Sequence, residues 1–339
     1  MSRLTLARVE LTRYRSRRAV VVLMLLTIVA SALIAFALIR SSTPPSADER
    51  ARAERLAAAE AQRPYIQEEL AACLEKPRRY FGRKPDDSRL QQKCERAVLP
   101  RAEWYLPYAP RLRPVGEIRG TSLAVAGLAL LAAMIAAMTY AGADWNSGSI
   151  VNQLLATPDR RKLWASKALV VTGVSAAFGL IVMTGWWLAV LAAASARDIT
   201  LGPEGRADIW WHVLRAGLLV AVAGLGAYAL TMLLRSTVGT LAVLAAYAII
   251  GDFLLNVLPI ANAERLAITT NGLAWLQGTF DYYSPERCGG SGGFVAYEGG
   301  RTRCDPTVVV SQADGGLFLV LLLAAVIGLS LLSFSRRDV

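Results

Sequence analysis

Asp144-Trp145-Asn146-Ser147-Gly148-Ser149-Ile150-Val151-Asn152-Gln153-Leu154-Leu155-Ala156-Thr157-Pro158-Asp159-Arg160-Arg161-Lys162-Leu163-Trp164-Ala165-Ser166-Lys167 is a short, basic, partly amphipathic stretch caught between two apolar runs, 121–142 and 168–195. Crossing the hydrocarbon layer takes roughly 20 apolar residues, and both runs reach that length. The stretch therefore reads as a loop, 143–167, between two membrane spans.

Working outward, four more runs of the same kind lie at 19–39, 213–234, 238–259 and 316–334. With 54% hydrophobic residues gathered in such blocks over 339 residues, the chain belongs to the polytopic all-α membrane class and not to soluble globules. The first run exceeds the roughly 7–15 residues of a signal-peptide core, so an uncleaved span is expected there.

The net charge of +11 is informative through its location. Arg3, Arg8, Arg13, Arg15, Arg17 and Arg18 precede the first run. Arg160, Arg161, Lys162 and Lys167 follow the second, Arg235 follows the fourth, and Arg336 and Arg337 follow the sixth. Six helices threaded in order put all these sites on one side, and the positive-inside rule makes that side the cytoplasm. Both termini, the 143–167 loop and the 335–339 tail are then cytoplasmic. The segment 40–120 becomes a helical extracytoplasmic loop domain, 196–212 a short outer loop and 260–315 an outer re-entrant region. Basic residues placed as juxtamembrane flanks, with no recognition module, argue against a nucleic-acid partner.

Cys73 and Cys94 fall in the first outer loop, Cys288 and Cys304 in the last. Confinement to the oxidising side points to two disulfides, most simply Cys73 with Cys94 and Cys288 with Cys304, although four cysteines permit three pairings. Within the first loop, 48–62 and 65–75 read as helices, the second with Ile66, Leu70, Cys73 and Leu74 on one face. Trp104, Tyr105 and Tyr108 among prolines suggest an interfacial re-entry segment.

Residues 1–18 read as a helix lying in the membrane interface, with arginines toward lipid phosphates and Leu4, Leu6, Val9 and Leu11 interleaved. In the second run Ala129, Ala133, Ala137 and Ala141 form either a packing seam or a ladder due to composition alone. The stretch 262–280 is too polar to span and is expected to dip into the outer leaflet with Leu266, Ile268, Leu273, Trp275 and Leu276 toward lipid. Asp252 is the one clear charge inside a run. With Asn256 it would line a polar pathway or an interface, or else reach the outer headgroups.

No phosphate-binding loop, metalloprotease motif, nucleophile elbow or His/Cys cluster occurs, so no catalytic or metal-ligating residue is assigned and ATP-driven work would need a partner. His212, beside Trp210 and Trp211, reads as an interfacial residue. The opening stretch carries the strongest pattern. Asp144 or Ser147 can cap a helix, Ile150, Val151, Leu154 and Leu155 make an apolar face, and Pro158 ends the run. Arg160, Arg161 and Lys162, with Lys167 where the next span opens, would then anchor to anionic headgroups.

In Asp144, Gly148-Ser149, Leu154-Leu155, Pro158, Arg160-Arg161 and Lys167, and in the ending Phe334-Ser335-Arg336-Arg337-Asp338-Val339, the chain resembles the permease subunits of type-2 ABC transporters. Asp144 and Ser149 stand where that family usually has Glu and Thr. The resemblance implies an exporter in a bacterial plasma membrane that works as a permease dimer, with an identical or homologous second copy, carried by two cytosolic ATPase subunits. ATP and Mg would be bound by the ATPases and no cofactor by this chain. It also implies a coupling helix at 146–156, with Asp144, Asn146, Gly148, Ser149, Ile150, Val151, Leu154, Leu155 and Pro158 serving to couple it to the ATPase. The apolar spans favour an amphipathic, lipid-like, drug or peptide cargo. Two other classes stay open on the residues alone: a membrane sensor or assembly protein with ligand-binding outer loops, and an ion-coupled carrier using Asp252.

Overall fold

The computed structural model describes residues 3–82, 89–106, 111–257, 263–284 and 307–336. The chain forms two compact units, Leu38–Leu112 on the one hand and Met1–Ala37 with Arg113–Val339 on the other.

The larger unit begins with α1 (Arg3–Arg15) and α2 (Arg18–Ser41), and resumes with α7 (Thr121–Asn146), α8 (Ser149–Ala156), α9 (Arg160–Ser195) and α10 (Pro203–Leu234). It continues through α11 (Thr237–Ala246), a π-helical turn Tyr247–Gly251, α12 (Asp252–Val257), α13 (Ile268–Gln277) and α14 (Gln312–Arg336). Helices α2, α7, α9, α10 and α14 are each long and apolar enough to cross a membrane.

Three boundaries differ from the sequence reading. Helix α9 begins at Arg160, because the Asp159 carboxylate accepts the Lys162 N–H at 3.1 Å and caps it there. Helix α10 begins at Pro203, a residue pre-organised for a first helical position, so most of the expected 196–212 loop is helical. The run expected as one span at 238–259 is interrupted by the π-helical turn. The Tyr247 hydroxyl in that turn accepts the Ile268 N–H at 2.7 Å and thereby caps α13.

Small residues let α7, α9 and α10 approach closely. Ala129, Ala133, Ala137 and Ala141 are all buried, so the alanine ladder is a packing seam inside the unit. A Cβ on Gly224 would lie 2.3 Å from Ser175 Oγ, and one on Gly142 would lie 1.7 Å from Thr237 Oγ1. Glycine is the residue these crossings accept.

Contacts define two ends of this bundle. At one end Trp145 meets the Phe334 ring edge-on, Arg235 stacks on Trp145 at 4.8 Å, and α1 packs against α9. At the other, buried His212 joins α10 to α7 and α13. Its Nε2 is 3.2 Å from Ser122 Oγ and its Nδ1 3.0 Å from the Leu276 carbonyl oxygen. His212 is thus an internal tie between the three helices.

Helix α13 also departs from expectation. Leu276 is buried, Trp275 Nε1 donates to the Arg215 carbonyl at 3.0 Å, and Gly315 sits against the Asn271 backbone. Of the residues expected toward lipid, Leu276 is buried in the protein, Ile268, Leu273 and Trp275 are half-buried, and Leu266 is exposed. Beside it, β1 (Thr279–Tyr283) pairs antiparallel with β2 (Thr307–Ser311), from Thr279 opposite Ser311 to Tyr283 opposite Thr307, a small ladder that the all-α reading did not contain.

The smaller unit contains α3 (Ala47–Ala61), α4 (Pro64–Glu75), α5 (Pro77–Phe81) and α6 (Leu90–Val98). Ser46 and Glu49 form a reciprocal capping box at the start of α3. Cys73 on α4 and Cys94 on α6 form the expected disulfide, inside a small core with Val98, Ile66 and Leu70. Trp104 and Tyr105 lie on a short 3-10 turn that packs on α3. Cys288, Cys304 and Tyr108 lie outside the described residues.

Candidate functional site at the α7–α9 connection

The opening stretch folds into two joints and one short helix. Asn146 is the last residue of α7 and not part of the loop helix. The chain then turns through Gly148, at φ +66°, a left-handed conformation that glycine adopts without strain. Helix α8 starts at Ser149 with no side-chain cap, so neither Asp144 nor Ser147 serves as one. Thr157 and Pro158 end it, and Asp159 caps the next helix. Hydrogen bonds from the Lys162 backbone and side chain hold the Asp159 carboxyl below the ordinary carboxylate range.

The four apolar residues of α8 do not share a face. Ile150 is buried and Leu154 is half-buried against the core of the larger unit. Val151 and Leu155 are exposed, Leu155 at 80%. Helix α8 is therefore seated by one stripe and presents a second, of i and i+4 spacing, away from the protein.

Asp144, expected on the docking surface, is instead buried beneath α8. Its Oδ2 accepts from Lys167 Nζ at 2.6 Å, and its Oδ1 from Arg13 Nη2 at 2.9 Å and Ser149 Oγ at 3.0 Å. Arg17 Nη2 stands at 3.5 Å from the same oxygen. Lys167, expected to reach for lipid, is the most enclosed cation here. It bridges Asp144 to Glu10 Oε2 at 3.1 Å and lies 5.0 Å from the centre of the Tyr140 ring. The Tyr140 hydroxyl donates to Glu10, and Arg13 closes the circuit on Glu10 Oε1 at 3.3 Å. Burial works against the Arg13 charge, yet the Asp144 and Glu10 carboxylates hold its pKa above the ordinary arginine value.

Glu10, Asp144 and Lys167 are thus a buried triad supplied by α1, α7 and α9, with Arg13 and Arg17 at its edge. Every charge has a counter-ion, which is the condition for keeping ions out of water. Glu10 was not singled out as a site residue by sequence reasoning, although it is the one acidic residue before Asp48, set among six arginines. Glu10 and Tyr14 are turned into the protein, while Arg8, Val9, Leu11 and Arg15 stay exposed.

The remaining basic residues divide. Arg161 is exposed, as an anchor requires. Lys162 pairs with Asp159 at 3.0 Å, and Arg160 Nη1 donates to the Phe334 carbonyl at 3.4 Å, which ties α9 to the end of α14. Asp252 and Asn256 lie on α12, and their side chains lie outside the described residues. Among the described residues no group of three or more His, Cys, Asp or Glu has metal-binding geometry. Compared with family models, with curated proteins and with solved structures, the chain finds no match in any of the three.

Proposed function

We propose that this chain is the membrane-spanning permease subunit of an ATP-driven exporter of the ABC-2 type, working as a pair of permeases with two cytosolic ATPase subunits that bind ATP and Mg. The observation that carries the reading is the split of α8: Ile150 and Leu154 seat the helix, while Val151 and Leu155 face outward at the joint of two long spans. An exposed apolar pair on a rigidly founded two-turn helix suits insertion into a groove of a motor subunit. The charged triad supplies the foundation, because Ser149 on α8 bonds Asp144 and Asp144 bonds Lys167 at the start of α9.

The topology is consistent with this role. Helix α10 ends where Arg235 stacks on Trp145, whereas α13 lies at the opposite end beside His212. The chain from α11 to α12 has to pass from one end to the other, so we read six crossings, with both termini and α8 in the cytoplasm. Amphipathic, lipid-like, drug or peptide molecules are the cargo classes that the apolar spans favour, and export from a bacterial cell is the direction that the resemblance implies.

The test is co-purification of the ATPase with variant permeases. Val151→Asp with Leu155→Asp is expected to abolish ATPase capture while membrane insertion and thermal stability stay those of the parent chain. Undiminished capture would sink the assignment of α8.

A further inference from the structure

The α1 docking site is built so that it can open. On the bundle side Lys167 keeps Asp144 at 2.6 Å, and on α1 Glu10 keeps Arg13 at 3.3 Å. Separating the two surfaces therefore strips neither side of its internal ion pair. Each surface keeps a neutral pair when the two part, so no charge of the triad is left without a counter-ion.

Apart from the ion pairs, it is the Tyr14 ring that fixes α1 to the bundle, buried with its centre 5.0 Å from that of Tyr140. Ala7 and Tyr14 are its residues in the apolar core, and the Tyr14 hydroxyl is buried with no hydrogen-bond partner among the described residues, which counts against the docked state. The joint to α2 is two residues, Ser16 and Arg17. The exposed side of α1 mixes Val9 and Leu11 with Arg8 and Arg15, a pattern suited to an anionic bilayer surface.

We propose that α1 is a strap with two positions: docked on Lys167 and Asp144, as in this structure, or released onto the anionic lipid headgroups of the adjoining leaflet. In the released position Arg13 and Arg17 exchange Asp144 for lipid phosphates, and Lys167 opens to water. Anionic lipid and the triad carboxylates thus compete for the same guanidinium groups. The docked and interfacial readings of residues 3–15 then describe two states of one helix.

Lysine acylation reads this directly, because Lys167 is buried while Lys162, five residues earlier on α9, is 55% exposed and serves as the internal reference. The full chain is placed in nanodiscs of phosphatidylcholine alone, or with phosphatidylglycerol added, treated with a water-soluble acylating reagent at fixed pH, and analysed by mass spectrometry. In neutral lipid Lys167 is expected to react at least about tenfold more slowly than Lys162, as for a site that opens only locally. With phosphatidylglycerol the Lys167 to Lys162 ratio is expected to rise about threefold or more, through the attraction of the arginines to headgroups.

A ratio unchanged by phosphatidylglycerol overturns the proposal, as does an equal rise with inorganic phosphate in neutral nanodiscs at matched ionic strength. Glu10→Gln should raise the ratio even in neutral lipid, and failure to do so would also count against the strap. None of these readings depends on an ATPase, so the strap and the exporter assignment can fail separately.

Discussion

Lys167 shows how a single residue changes meaning between sequence and structure. At the border of an apolar run it has the character of a snorkelling flank, yet it is enclosed by two carboxylates and a tyrosine ring. The misreading has a physical origin: Glu10 lies 157 residues away in sequence, so no local pattern joins the pair. A lone glutamate among arginines was the available clue. Removing Lys167 takes the most enclosed counter-ion from two buried carboxylates and leaves them to Arg13 and Arg17, so Lys167→Met is expected to destabilise the chain by up to about 3 kcal/mol, read as a lowered denaturation midpoint in detergent. Packing makes a second prediction. Gly224→Ala would drive a methyl group against Ser175 Oγ and is expected to cost about 1–3 kcal/mol, as overpacking does, whereas the open Gly173 should accept alanine with little change.

Elements were legible in proportion to how local their causes are. The long apolar helices and the helices of 48–62 and 65–75 follow from run length and periodicity, and the Cys73–Cys94 bridge from the placement of the cysteines. The division of α8 into a seated and a free stripe was not legible, since Ile150, Val151, Leu154 and Leu155 are equally apolar and only the position of the bundle distinguishes them. Ile150→Asp is accordingly expected to lower stability, in contrast to Leu155→Asp, which should alter partner binding alone. In the smaller unit, Cys73→Ser removes a cross-link between residues 21 apart and is expected to cost that unit about 2–5 kcal/mol, seen as faster amide exchange in α4 and α6. Acid should act on α3. The Ser46 N–H and then its hydroxyl hold the Glu49 carboxyl below the ordinary carboxylate range. The capping box is therefore fully formed above that range and is lost as pH falls through the lowered value, so protection factors in the first turn of α3 should drop under acid and stay level in Glu49→Gln, which has no carboxyl to titrate.

For the whole molecule, sidedness is the property on which the functional reading rests, and the five lysines report on it without mutation. Lys76, Lys84 and Lys93 lie in the 40–120 loop, while Lys162 and Lys167 flank α8 and the start of α9. Positive flanks set orientation because basic residues are retained on the cytoplasmic side during insertion. A membrane-impermeant acylating reagent applied to sealed, right-side-out vesicles is thus expected to label Lys76 and Lys93 at once and Lys162 only after permeabilisation. The number of crossings needs one further mark. The end of α14 is tied to α9 through Arg160 and to α7 through Trp145 and Phe334, which puts residue 336 at the same end as α8. An epitope fused after Val339 should then be protected together with Lys162. Labelling of Lys162 in sealed vesicles would invert the orientation and with it the docking of a cytosolic motor. An exposed epitope beside a protected Lys162 would instead remove one crossing, most directly at the π-helical interruption between α11 and α12.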